Sequence, residues 1–251
     1  MNTKLYFRDS NTAIICEDML QENLIPNNHI DLIITSPPYN LCKEYNGSND
    51  NLNYDDYLLF TEHWLQKCYS LAKQDGRLCL NIPLDTGKGK IRSTGADITT
   101  IAKKVGWKYR TSIIWNKGNI IGSHARGSIM SASSPHIIAP VELIVVMYKS
   151  QWKKERQGIS DITNSEFFEW TNGLWTFNGE SKSKIGHPAP FPIELPKRCI
   201  KLFSYIDDII LDPFMGSGTT LVAANSLNRK AYGIEISREY CELAMYRLLK
   251  Q

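Results

Sequence analysis

The chain has 251 residues, of which 42% are hydrophobic and 22% charged, with a formal net charge of +3. This ordinary globular composition excludes collagen-like, disordered and coiled-coil chains, and the length suffices for one large domain with or without a small insertion. The longest purely apolar run, Leu143 to Tyr148, falls well short of the roughly 20 residues of a membrane span, and the N-terminus lacks a signal-peptide core, so a soluble cytoplasmic protein is expected.

Taken in chain order, short β-branched runs alternate with amphipathic ones. Strands are predicted at Thr12–Cys16, Ile30–Thr35, Arg77–Ile82, Lys108–Asn116, Val141–Lys149, Asp208–Leu211 and Lys230–Ile236. Helices are predicted at Tyr54–Lys73, Ala96–Val105, Ile193–Phe203, Thr219–Leu227 and Arg238–Leu249, with Asn53 and Ser237 placed to cap two of them. The alternation predicts an α/β domain around a mostly parallel sheet. Gly118–Ser134 is rich in Gly and Ser and reads as a long loop. Ser150–Gly186 has no clean period and reads as an insertion outside the main sheet. Its aromatic residues Trp152, Phe167, Phe168, Trp170, Trp175 and Phe177 form a small core of their own or meet a partner. The six cysteines include no C-x-x-C pair and read as thiols, mostly buried; the five histidines show no ligand spacing, so no metal site is expected.

Charge is uneven along the chain. Between Thr86 and Val141 stand Lys88, Lys90, Arg92, Lys103, Lys104, Lys108, Arg110, Lys117 and Arg126 against one acid, Asp97. Such a block is either a solvated face balanced elsewhere or a phosphate-facing surface.

Two motifs carry chemistry. In Asp31-Leu-Ile-Ile-Thr-Ser-Pro-Pro-Tyr-Asn40 a strand runs into two prolines, which continue neither a sheet ladder nor a helix. They form a rigid turn beyond the strand's C-terminal end, where ligands bind in open α/β sheets. The Ser36 hydroxyl and a proline carbonyl become fixed acceptors beside the Tyr39 ring, which suits a planar group that donates an N–H. A Pro-rich loop with a packing tyrosine is the plainer alternative. In Asp208-Ile-Ile-Leu-Asp-Pro-Phe-Met-Gly-Ser-Gly-Thr-Thr220 a strand ends at Asp212, a Gly-rich turn follows, and a helix begins. Gly216 and Gly218 permit close backbone approach, and the helix N-terminus offers free N–H groups. Glu235 ends the next strand 23 residues after Asp212, where an acid can bind ribose hydroxyls. Leu221 stands where G-x-G-x-x-G requires its third glycine, and an acid before the turn repels a pyrophosphate, so a cofactor with a cationic end suits the turn better than a dinucleotide.

Together these motifs resemble those of the amino-group DNA methyltransferases that use S-adenosylmethionine. Thr-Ser-Pro-Pro-Tyr-Asn is similar to their S/D-P-P-Y motif and Asp212–Thr220 to their F-x-G-x-G motif, in the order of the circularly permuted β group. Pro140-Val-Glu-Leu-Ile-Val and His187-Pro-Ala-Pro-Phe-Pro are similar to two further family segments, and the resemblance covers roughly residues 12–249. It implies a Rossmann-like methyltransferase fold, a mostly parallel twisted sheet with helices on both faces. Residues 1–149 would be the catalytic half, 150–186 a target-recognition insertion and 187–251 the cofactor half.

The resemblance further implies methyl transfer to the exocyclic amine of a flipped base in double-stranded DNA, with Ser36, Pro37, Pro38 and Tyr39 catalytic. Ser36 and the Pro37 carbonyl would accept from the amine, and Tyr39 would stack on the base. Asp18, Thr35, Ser36, Pro188, Asp212, Phe214, Gly216, Ser217, Gly218, Thr219, Thr220 and Glu235 would bind the cofactor, with Asp212 near its positive methionine end. Lys88, Lys90, Arg92, Lys103, Lys104, Lys117 and Arg126 would face DNA phosphates. The polar loop Lys43–Asn53 either closes over the base or is inert surface. The Ser-Pro-Pro-Tyr form leans to N4 of cytosine, with N6 of adenine as the alternative. A homodimer and a cognate restriction endonuclease acting on the same site are the further partners implied. An RNA methyltransferase and a non-catalytic DNA-binding protein are the rival readings.

Overall fold

The computed structural model describes residues 4–40, 44–45, 48–49, 51–86, 91–118, 128, 130–135, 137, 140–180 and 191–250. Lys88, Lys90, Arg126 and Pro188, together with Cys42 and most of the Gly/Ser-rich loop, lie outside them. Eleven strands appear among the described residues: β1 Leu5–Arg8, β2 Thr12–Cys16, β3 Ile30–Thr35, β4 Glu44–Tyr45, β5 Ser48–Asn49, β6 Ala72–Pro83, β7 Lys108–Asn116, β8 Val141–Tyr148, β9 Leu174–Thr176, β10 Ile209–Asp212 and β11 Lys230–Glu235. The helices among the described residues are α1 Tyr54–Leu71, α2 Thr94–Val105, α3 Asn164–Trp170, α4 Glu194–Phe203, α5 Thr219–Ser226 and α6 Arg238–Leu249. None of the described helices is long and apolar enough to cross a membrane.

One nine-stranded sheet runs in the order β1-β2-β11-β10-β3-β6-β8-β7-β9. Its centre, β2 through β6, is parallel; β8 is antiparallel to both β6 and β7, and β1 closes one edge antiparallel to β2. The central strand β3 is buried at every position, as expected for a parallel strand covered on both faces. Its side chains alternate between two cores. Ile30 and Ile33 pack with Trp64, Leu65 and Ile98 of α1 and α2 on one face. Leu32 and Ile34 pack with Cys199, Val222 and Ala244 of α4, α5 and α6 on the other. The sheet with helices on both faces is therefore the expected architecture.

Local chemistry sets the helix ends. Asn53 caps α1 by accepting from the Asp56 N–H at 3.0 Å, and Asp55 and Asp56 in the first turn favour the positive end of the helix dipole. Thr163 and Glu166 form a reciprocal capping box at α3.

The 150–186 segment differs from expectation. β9 pairs in parallel with β7, Trp175 opposite Trp115, so this segment adds an edge strand to the main sheet rather than lying outside it. Trp170 and Trp175 belong to the shared core, with Trp175 Nε1 donating to the Trp170 carbonyl at 2.9 Å. The aromatics are thus not a separate core: burial against Trp115 and Arg198 gives them a better-covered site than a three-residue strand could build alone. Phe168 remains exposed.

Candidate active site

The direction of the parallel strands brings four chain segments to one edge of the sheet. β2 ends before Glu17 and Asp18, β3 before Ser36, β10 at Asp212 and β11 at Glu235. The chain reverses its winding between β10 and β3, which leaves a crevice at the C-terminal ends of those strands. A cleft of about 270 Å³ occupies it, lined on one side by Asp18, Met19, Phe214, Gly216, Ser217, Thr219 and Glu235, and on the other by Ser36, Pro37, Pro38, Tyr39 and Asn40. The two motifs, more than 170 residues apart in the chain, face each other across one cavity.

The Gly-rich turn is held largely by its own neighbours. Gly218 sits at φ +76°, and a Cβ there would lie 2.7 Å from the Ala244 Cβ, so only glycine lets α6 pack this closely. The Glu235 carboxylate accepts from the Gly216 N–H at 3.0 Å and the Ser237 N–H at 2.8 Å. Burial pushes its pKa up, against the lowering effect of those backbone N–H groups. Arg247 of α6 donates to the Ser217 carbonyl at 2.6 Å and to the Ser217 and Thr219 hydroxyls at 3.0 Å each. Phe214 packs edge-on to Trp64 and beside Phe60, fixing an aromatic wall of the cleft.

Asp212 stands elsewhere than expected. It is fully buried and does not line the cleft. Its carboxylate accepts from the Thr220 hydroxyl at 2.6 Å and the Phe214 N–H at 3.2 Å, so it ties the strand end to the helix start. Burial raises its pKa to about 6, opposed by hydrogen bonds from Thr220, Thr35 and the Phe214 backbone. Thr35, Gly218 and Thr220 likewise stand behind the cleft wall.

The Ser36 turn is held from far away in sequence. The Ser36 hydroxyl meets the Tyr39 hydroxyl at 2.5 Å, and Tyr39 donates toward the Asn81 carbonyl at 3.1 Å and Glu142 Oε2 at 3.4 Å. The Asn81 side-chain amide donates to Glu142 Oε2 at 2.7 Å, to the Tyr39 hydroxyl at 3.0 Å and to Ser36 Oγ at 3.3 Å. Lys117 pairs with Glu142 Oε1. Tyr57 donates to the Pro38 carbonyl at 3.1 Å. Beyond the turn, Asn40 adopts φ +56° and its side-chain amide exchanges two 2.8 Å bonds with the Leu52 backbone, tying the turn to the residues just before α1.

The basic residues divide. Arg92 stacks on Tyr54 with its guanidinium 3.9 Å from the ring centroid, beside the strand ends that carry the cleft. Lys103 and Lys104 stand in the last turn of α2, which leads to the start of β7 at the opposite edge of the sheet, and Lys104 pairs with Glu62 at 2.9 Å. Sequence proximity grouped them, but the helix carries them away from Ser36. Asn81 and Tyr57 escaped the sequence reading altogether, Glu142 entered it only within a family segment, and Glu17, Phe60, Phe191, Ile236 and Tyr240 also line the cleft. Asp18, next to Glu17 beyond the end of β2, entered the sequence reading through the family resemblance alone.

Comparison with known proteins shows the family and the fold. A family model for N6/N4 DNA methylases matches residues 30–246. The type II methyltransferase M.MjaVI of Methanocaldococcus jannaschii is 55% identical over 182 residues, covering 72% of this chain and 93% of that protein. The structure of a putative DNA modification methylase from Thermus thermophilus, complexed with S-adenosyl-L-methionine, superposes with a TM-score of 0.73 at 26% identity over 96% of this chain and 95% of that one. The cytosine-N4-specific PvuII DNA methyltransferase shares the fold, with a TM-score of 0.74 at 21% identity, covering 98% and 89% of the two chains.

Proposed function

This chain belongs to the N6/N4 DNA methylase family, and from that premise we propose that it moves a methyl group from S-adenosyl-L-methionine to N4 of a flipped cytosine in double-stranded DNA. The observation that carries this reading is the single cleft in which Ser36-Pro37-Pro38-Tyr39 faces the Gly216 turn and Glu235. The cleft's chemistry suits the cofactor: carboxylates at Asp18 and Glu235 for amine and hydroxyl donors, aromatic faces at Phe60 and Phe214, and close backbone at Gly216 and Ser217. When bound there, S-adenosyl-L-methionine supplies an activated methyl group. Asp212 shapes the turn from behind, and its charge acts on the cleft only through the wall.

The chain's own contribution is orientation and electrostatics. An exocyclic amine is a poor nucleophile because its lone pair is delocalised into the ring. The Ser36 oxygen and the Pro37 carbonyl, held by a rigid turn, accept its hydrogens and favour a pyramidal nitrogen; this preorganisation requires no movement during reaction. Alignment of the nitrogen with the methyl carbon supplies much of the remaining rate. An amine within the duplex cannot reach the cleft, so the base turns out of the stack. Serine in place of aspartate in the motif favours cytosine; adenine N6 is the alternative base.

β10 and β11 come last in the chain yet sit at the sheet's centre, which supports a circularly permuted order. Residues 1–149 and 187–251 form the two halves of one catalytic domain, and 150–186 carries target recognition, its Phe168 and edge strand β9 facing outward. Basic residues on the cleft's side, Arg92 among those described, contact phosphates. The enzyme acts in the cytoplasm beside a cognate endonuclease of the same site, as a monomer or a homodimer. Incubation with methyl-labelled S-adenosyl-L-methionine and either duplex DNA or structured RNA tests the reading: label enters DNA. Label entering only RNA, or neither, overturns it.

A further inference from the structure

We propose that Glu142 is a positioning residue for methyl transfer: through Asn81 and Tyr39 it fixes the Ser36 hydroxyl as a hydrogen-bond acceptor toward the cleft. The inference rests on the methyltransferase reading and adds to it a device built from β6 and β8, strands outside both motifs.

A carboxylate accepts and cannot donate, whereas a primary amide presents donors on one side and an acceptor on the other. Glu142, 9% exposed, sits 2.7 Å from the Asn81 amide nitrogen and so turns the donor side of Asn81 toward Tyr39 and Ser36. The opposite side bears the consequence, because Asn81 Oδ1 is buried with no hydrogen-bond partner among the described residues. An unsatisfied buried oxygen is unfavourable by about 1–3 kcal/mol, but turning the amide over would leave its donors on that partnerless side and set its oxygen against the Glu142 carboxylate. The carboxylate holds it against that penalty. Lys117 in turn holds Glu142 through its other oxygen.

The Tyr39 hydroxyl then has the Asn81 side-chain amide as a donor and two acceptors, the Asn81 backbone carbonyl at 3.1 Å and Glu142 Oε2 at 3.4 Å, which favour turning its single proton away from Ser36. The 2.5 Å contact between the two hydroxyls fits either as donor, and in the proposed polarity Ser36 is the donor and Tyr39 the acceptor. With its only proton committed inward, the Ser36 oxygen presents lone-pair density to the incoming amine, the polarity that the transfer requires. If Asn81 turned over, its oxygen would compete for the hydroxyl protons and the polarity would no longer be set. In this arrangement Lys117 serves the network rather than a DNA phosphate.

Single-turnover methylation of duplex DNA by the wild type, Glu142→Gln, Tyr39→Phe and the double variant tests this. Glu142→Gln is expected to lower the transfer rate by about tenfold or more, the scale of one charge-assisted hydrogen bond, with S-adenosyl-L-methionine affinity and DNA KM unchanged. Because Glu142 acts through Tyr39, adding it to Tyr39→Phe should lower the rate little further. Lys117→Gln, at a half-exposed site that folding tolerates, should lower kcat and leave DNA KM alone. Independent losses in the cycle, a Glu142→Gln enzyme as fast as wild type, or a Lys117→Gln effect confined to KM would overturn the inference while the methyltransferase reading stands. A wild type that transfers no methyl group overturns both.

Discussion

The two turns that face each other across the cleft are braced in different ways. The Gly216 turn draws its support from nearby chain: Asp212 and Thr220 within it, Glu235 one strand later, and Arg247 from the following helix. The Ser36 turn relies on Tyr57, Asn81, Lys117 and Glu142, between 21 and 106 residues away. The difference teaches where tolerance to change lies. Substitutions in the first turn act on backbone shape and thus on stability and cofactor binding together. Substitutions around the second are expected to alter hydrogen-bond direction and so to act chiefly on rate.

The sharpest separation comes from Ser36→Ala. Its loss of transfer rate is expected to reach about 100-fold to 1,000-fold, the scale of removing one preorganised group that stabilises a transition state. Calorimetry should find S-adenosyl-L-methionine affinity unchanged; a variant that loses cofactor binding instead would merge the two turns into one unit. Next is Gly218→Ala, which combines a left-handed backbone with the Ala244 collision. It should cost about 1–2 kcal/mol in urea denaturation from the backbone alone, and more from the contact with α6. Adding Ala244→Gly should restore only the contact part.

Asp212→Asn has a subtler, pH-dependent effect. The folded pKa, about 6, lies above the ordinary carboxylate value of 3.8, so the folded state holds the proton more tightly than the unfolded chain. The group's contribution to stability is present below pH 4, falls as pH rises through about 6, and is level beyond. Asparagine removes that fall, so denaturation profiles of the variant and wild type should diverge between pH 4 and 6 and run parallel above. Coincident profiles would remove the burial argument. The smallest effect is expected of Lys103→Glu: DNA affinity and its salt slope should stay as in the wild type, because α2 carries this residue away from the cleft. A reduced slope would extend the DNA face around the sheet.

The contrast between the turns also explains what the sequence made legible. β2, β3 and β7 begin and end where β-branched runs predict, and Asn53 marks the start of α1, because these signals are local. The Gly-x-Gly turn and its acid at Glu235 are local too. β6 extends to Ala72–Pro83, beyond the predicted Arg77–Ile82, since pairing with β3 recruits residues around Gly76 that have no strand propensity of their own. β9 was hidden because three residues have no measurable period and its stability comes from β7. Thr163-x-x-Glu166 was the one available sign of α3. Asn81 looks in sequence like any polar residue in a strand; only the register that places β6 beside β8 brings it to Glu142. The division of the basic stretch was invisible for the same reason: spacing shows charge density, while the helix direction decides which edge of the sheet receives it.

The central claim is that one cleft brings an activated methyl group to an exocyclic amine held by Ser36. Mass spectrometry of nucleosides from duplex DNA, after treatment with the protein and S-adenosyl-L-methionine, tests it most directly. N4-methylcytosine is the expected product, and N6-methyladenine would keep the cleft's chemistry and change the base. DNA with no methylated amine, from protein shown to bind the cofactor, would contradict the account.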